Sequence, residues 1–122
     1  MAKRVLIADD EPNIVASLEF LMEQSGFEVK VAGDGRQALD LIASFAPDLV
    51  LLDVMMPQKN GYEVCQQVKS DPASRRIKVI LLSAKGRDIE VTKGLELGAD
   101  AYVTKPFSTR DLVAKVREML GE

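Results

Sequence analysis

The chain has 122 residues, a length at which a single domain can bury roughly two-thirds of its unfolded surface without a metal or disulfide staple. With 47% hydrophobic and 29% charged residues it is ordinary globular material, and 16 basic against 19 acidic side chains leave −3, against the basic footprint of a nucleic-acid module. One cysteine excludes an internal disulfide, and the lack of histidine removes imidazole as base, phosphocarrier or metal ligand.

The opening Met1-Ala2-Lys3-Arg4 is basic but leads into a short apolar run that soon meets Asp9-Asp10-Glu11. That is neither a signal peptide nor a membrane span, so a cytoplasmic protein is expected. Val5 to Ala8 predicts a first strand. Pro12 opens a first helix with the stripe Ile14, Leu18, Leu21 and Met22, and Gly26 closes it. Phe27 to Val31, broken by Glu28 and Lys30, alternates and predicts a strand at a sheet edge. Ala38, Leu41, Ile42 and Phe45 mark a second helix, and Leu49 to Leu52 a third strand. Gly61, Val64, Cys65 and Val68 form a third helical stripe between the loop signals Asn60-Gly61 and Ser70-Asp71-Pro72. Val79 to Leu82 predicts a fourth strand. Around Val91 and Leu95 lies the poorest stripe, with Gly94 inside it and Gly98 closing it, so a fourth helix is expected to dock least firmly. Ala101 to Val103 gives a fifth strand, and Leu112, Val113, Val116, Met119 and Leu120 a fifth helix. Continuous apolar strands alternating with helices predict one α/β domain over 1–122, a doubly wound, five-stranded parallel sheet flanked by five helices, with no output domain visible.

Four strands end in polar residues: Asp9-Asp10, Asp53, Ser83, and Thr104 running into Lys105-Pro106. Parallel strands bring these ends to one edge, where open α/β sheets bind their ligands. Carboxylates so close either protonate or take up a cation. With no histidine and one cysteine, only oxygen ligation is open, which points to Mg2+. A carboxylate beside Mg2+, an ammonium and a hydroxyl is the apparatus for accepting a phosphoryl group. Asp53, alone at the end of the most apolar strand, is the expected nucleophile, with Asp9 and Asp10 as the metal pair. Taken singly, each Asp could equally be a helix cap or turn residue, Ser83 a loop hydroxyl and Lys105 a solvated charge.

The sequences Ile7-Ala8-Asp9-Asp10-Glu11, Asp53-Val54-Met55-Met56-Pro57 followed by Gly61, Leu81-Leu82-Ser83-Ala84, and Gly98-Ala99-Asp100-Ala101-Tyr102-Val103-Thr104-Lys105-Pro106-Phe107 carry a family resemblance. Over its whole length the chain resembles the receiver domain of two-component response regulators, the CheY-like fold. The resemblance implies a three-layer sandwich with strand order 2-1-3-4-5 and phosphorylation of Asp53. It implies Mg2+, with Mn2+ as a substitute, held by Asp10 directly, Asp9 through water, Asp53 and the main-chain carbonyl of Met55. A cis peptide before Pro106 would aim Lys105 into the site. In the implied switch the phosphoryl group draws in Ser83, and Tyr102 swings into the vacated space. The face of the fourth helix, fifth strand and fifth helix then changes for a downstream protein or fused output domain. The phosphodonor would be a histidine kinase, a phosphotransfer protein or a small phosphodonor, met by the first helix and the loops over the cleft. Relatives that dimerise through the switching face use charge pairs; Glu96 and Arg117 could pair here, but Ala101 replaces a usual acid and Val91 a usual base. A monomer or a weak phosphorylation-dependent dimer is expected, with no nucleic acid or membrane contact. Met55 and Lys85 occupy the positions that tune dephosphorylation.

Three rival readings compete. Gly33-Asp34-Gly35-Arg36-Gln37-Ala38 matches a dinucleotide fingerprint, but it follows the second strand rather than the first and reads equally as a turn and helix start. A phosphatase with an aspartate nucleophile needs a general acid two residues on, where this chain has Met55. A phosphate-independent docking module would lack some site residues, and all are present. Cys65 reads as core rather than as a redox thiol.

Overall fold

The computed structural model describes residues 2–56, 60–83, 96–105 and 107–121. Five strands, β1 (Arg4–Ala8), β2 (Glu28–Ala32), β3 (Leu49–Asp53), β4 (Lys78–Ser83) and β5 (Ala101–Thr104), form one parallel sheet in the order β2-β1-β3-β4-β5. Burial explains the order. Every residue of β3 is buried, as a central strand covered on both faces requires, whereas β2 and β5 keep partly exposed positions and lie at the edges. The alternating run Phe27 to Val31 thus becomes the expected edge strand.

The described helices are α1 (Pro12–Gln24), α2 (Gly35–Phe45), α3 (Gly61–Ser70) and α4 (Thr109–Met119), the last being the stripe Leu112 to Leu120. The poorly patterned stretch around Val91 and Leu95 lies outside the described residues. Side chains alternate across each strand, so the sheet builds two cores. Leu6, Val50, Leu52, Val79 and Leu81 pack with Ala38, Ile42, Val64, Cys65 and Val68 of α2 and α3. Val5, Ile7, Leu49, Leu51, Ile80 and Leu82 pack with Leu18 and Met22 of α1 and Leu112 and Val116 of α4. Cys65 is fully buried, as its place in the α3 stripe predicts, and burial pushes its thiol up to about 11, which leaves it inert.

Local signals set the helix starts. Asn60 and Glu63 close a capping box on α3, with the Glu63 N–H donating to Asn60 Oδ1 at 2.9 Å and the Asn60 N–H to Glu63 Oε1 at 3.2 Å. Asp34 accepts the Gln37 N–H at 2.8 Å, and Gly33 gives its N–H to Gln37 Oε1 at 2.8 Å. The glycine-rich stretch is therefore a turn and a capped helix start. α2 ends at Ala46 with φ +52°, a left-handed turn by a residue with a side chain, just before Pro47. No described helix is long and apolar enough to cross a membrane.

Candidate functional site

Strand register assembles the site. Ala8 pairs with Ala32 and Leu52, Asp53 with Leu82, and Ser83 with Thr104, so the C-terminal ends of β1, β3, β4 and β5 finish level. Asp9, Asp53 and Ser83 are the buried polar residues there, at 1%, 4% and 3% exposure, while Asp10 faces solvent. Carboxylate oxygens of Asp9, Asp10 and Asp53 lie within 4.8 Å of one another. The constellation read from the strand ends is thus brought together.

Lys105 enters from β5. Its N–H donates to Ser83 O at 2.7 Å, continuing the β4–β5 ladder by one residue. Its ammonium, on a side chain only 11% exposed, lies 3.1 Å from Asp9 Oδ2, 3.5 Å from Asp53 Oδ1 and 3.8 Å from Glu11 Oε1. Glu11 stands beside the acid pair in sequence but carried no predicted role. Its signal was adjacency to Asp9-Asp10, and the structure makes it a third carboxylate facing the lysine.

The charges do not balance. Three aspartates and one glutamate gather around one ammonium. Burial and the neighbouring Asp9 carboxylate push Asp53 up to about 6, although Lys105 and the Met55 N–H, 3.4 Å from Asp53 Oδ1, pull the other way. Burial favours the uncharged form of Lys105, but its hydrogen bond to Asp9 and the charges of Asp53, Asp9 and Glu11 outweigh that and raise its pKa. One Asp9 oxygen is occupied by the Glu11 N–H at 3.0 Å. Hard oxygen donors with excess negative charge match a divalent cation such as Mg2+ and offer nothing to a soft metal.

Gly61 makes the Asp53 loop possible. Its N–H donates to Val54 O at 2.9 Å, and a Cβ there would sit 2.8 Å from Val54 Cα and inside contact with the Asp53 carbonyl oxygen. Sequence alone placed Gly61 as a loop and stripe residue; the backbone contact with the end of β3 is a tertiary feature. Met55 is 68% exposed, and Tyr102 is half-buried against the α2–α3 core. Pro57, Lys85 and Pro106 lie outside the described residues. The groove of about 570 Å³ between α2 and α3, lined by Leu39, Ile42, Val68 and Ile77 among others, contains none of these site residues.

A family model for the response regulator receiver domain matches residues 5–117. The chain belongs to that family. Among solved structures it is similar to the signal receiver domain of a histidine kinase from Syntrophus aciditrophicus, at 34% identity and TM-score 0.91, covering 98% of this chain and 91% of that one. A CheY-like receiver domain protein from Methanospirillum hungatei JF-1 matches at 30% identity and TM-score 0.92, over 99% and 95%. The BeF3-activated DrrB receiver domain matches at 36% identity and TM-score 0.91, over the whole of both chains. This receiver domain is a signalling module of two-component systems, not an enzyme turning over an external substrate.

Proposed function

We propose that Asp53 is the phosphoacceptor of this receiver, in a Mg2+-dependent reaction, and that Lys105 and Ser83 assist the transfer. The observation that carries the reading is the negatively overcharged cluster at the ends of β1 and β3, in which Asp9 and Asp53 are buried, with one ammonium 3.1–3.5 Å from those two carboxylates. A carboxylate oxygen of Asp53 would attack phosphorus as the bond to the donor nitrogen (or to the acyl oxygen of a small phosphodonor) breaks, the leaving group keeping the electron pair. Asp9, Asp10, Asp53 and the main-chain carbonyl of Met55 would hold Mg2+. Bound there, the ion supplies charge neutralisation for phosphoryl oxygens and lowers the fraction of Asp53 that is protonated.

The chain's own groups supply the rest. The Lys105 ammonium, already poised between Asp9 and Asp53, can follow a phosphoryl oxygen, and the Ser83 hydroxyl at the end of β4 can donate to another. That pull on Ser83, with Tyr102 two pairs earlier on β5, links the site to the face carrying β5 and α4, the route to a downstream protein or fused output domain. The phosphodonor is a histidine kinase or phosphotransfer protein. Water attack on the acyl phosphate returns the resting state, so the domain assists its own dephosphorylation without being a turnover enzyme. The reading requires neither nucleic acid nor membrane contact, and it suits a cytoplasmic monomer or a weak dimer formed on phosphorylation.

Intact mass after incubation with acetyl phosphate tests it. Wild type should gain one phosphoryl group with Mg2+ and none without it, and Asp53→Asn should gain none. Modification of Asp53→Asn, or none in a folded wild type, would defeat the assignment.

A further inference from the structure

At the sheet end opposite the acids, the last turn of α3 carries a lysine that is tucked in rather than solvated. The Lys69 side chain is 15% exposed, and its ammonium donates to Ile77 O at 2.6 Å, Asp100 Oδ2 at 2.9 Å and Arg75 O at 3.1 Å. An ammonium has three N–H donors, and all are used. The aliphatic stem lies against Gly98, where an added Cβ would come 2.9 Å from Lys69 Cγ. Asp100 passes the contact on. The same Oδ2 accepts the Val79 N–H at 2.8 Å, and the Asp100 N–H donates to Val79 O at 2.9 Å.

Those two bonds precede the β4–β5 ladder, which runs from Ile80↔Ala101 to Ser83↔Thr104. The next bond along is Lys105 N–H to Ser83 O, and from that backbone position the Lys105 side chain reaches Asp9 and Asp53. β5 is a four-residue edge strand with partly exposed side chains, so packing alone fixes its register weakly, and a slip of one residue would turn Lys105 to the other face.

We propose that Lys69 is a positioning residue for phosphoryl transfer: through Asp100 it locks the register of β5 and so holds Lys105 between Asp9 and Asp53. Lys69 acts from roughly 15 Å away, the length of the strand, and touches no reacting atom. The inference rests on Asp53 being the acceptor and adds a control on the lysine that serves it.

A double-mutant cycle tests the lock, read as the initial rate of phosphorylation by acetyl phosphate with Mg2+. Lys105→Ala should slow the reaction about a hundredfold. Lys69→Met should slow it about tenfold, because misplacement of an assisting group costs rate even when its cause is remote. Lys69→Arg, which can still reach Asp100 and the carbonyls, should restore most of that loss. In the Lys105→Ala background Lys69→Met should change the rate by under about twofold, since the group it positions is gone. A wild-type rate in Lys69→Met, or the same slowing in both backgrounds, would overturn the positioning role. Should Lys69→Met not fold, Asp100→Asn keeps an oxygen for Val79 and removes only the charge that holds Lys69; it should show the same pattern at about threefold, and an unchanged rate would overturn the proposal. A wild type that takes no phosphoryl group brings down the acceptor reading as well, whereas a phosphorylated wild type without coupling brings down the positioning role alone.

Discussion

At the N-terminal end of the sheet Lys69 meets one carboxylate and two carbonyls, whereas at the C-terminal end Lys105 meets three carboxylates with a fourth close by. Both are lysines with largely buried side chains that join distant segments. The first is saturated: every Lys69 proton has an acceptor, and Asp100 receives Lys69, the Val79 N–H and, at 4.0 Å, Lys78. The second is left in deficit, and burial together with the neighbouring Asp9 charge raises the pKa of Asp53. A buried pair that balances holds the fold together, while one that leaves charge over invites an external cation and an incoming group. The proposed phosphoryl chemistry of this receiver sits at the unbalanced end.

Substitutions can break or sharpen that contrast. The largest effect is expected from Gly61→Ala, which presses directly on the unbalanced end, because its Cβ would meet backbone of Asp53 and Val54 rather than a side chain that can yield. Urea unfolding should show a loss on the order of 3 kcal/mol, together with weaker Mg2+ binding. Lys69→Met should cost somewhat less, about 2 kcal/mol, by stranding Asp100 and two carbonyls at the balanced end; Mg2+ affinity should not fall, because a displaced Lys105 ammonium competes less for Asp9 and Asp53. If it fell as far as in Gly61→Ala, the two ends would not be separable.

Asp53→Asn should act in the opposite direction. The folded protein holds a proton on Asp53 up to about 6, above the ordinary carboxyl value of 3.8, so between these values the folded state binds more protons than the unfolded one. Stability attributable to Asp53 therefore falls as pH rises through that window, and the ionised group is a liability above it. Metal-free Asp53→Asn should be more stable than wild type by about 1–2 kcal/mol near pH 7, the gain vanishing below about pH 4. Thermal melts across that range would show it, and an equal gain at all pH values would contradict the charge argument. The smallest effect belongs to Asn60→Ala, which removes a cap at the start of α3 and should cost about 1 kcal/mol with phosphorylation intact.

The sequence was most informative where local pattern and topology coincide. Apolar runs ending in Asp9, Asp53 and Ser83 revealed both the strands and the edge that gathers them, because a parallel sheet admits little choice about where strand ends fall. Alternation in Phe27 to Val31 marked an edge for the same reason. The Lys69–Asp100 staple was illegible: 31 positions separate the two, and each looks like a solvated surface charge until α3 and the approach to β5 are side by side. The reason Gly61 follows the Asp53 motif is equally hidden in the sequence, because the backbone a Cβ would strike belongs to another segment. Arg117 donates to Ser25 O at 3.2 Å and covers the Phe27 ring at 5.8 Å, contacts between α4 and the turn after α1 that periodicity does not encode.

Calorimetric titration of the metal-free protein with Mg2+, at about pH 7.5 and about pH 5, tests the imbalance most directly. One site should appear at the higher pH, weaken at the lower pH as a proton competes for Asp53, and be largely lost in Asp10→Asn. Binding of equal strength at both pH values, or no binding at all, would contradict the assignment of the excess charge to a cation.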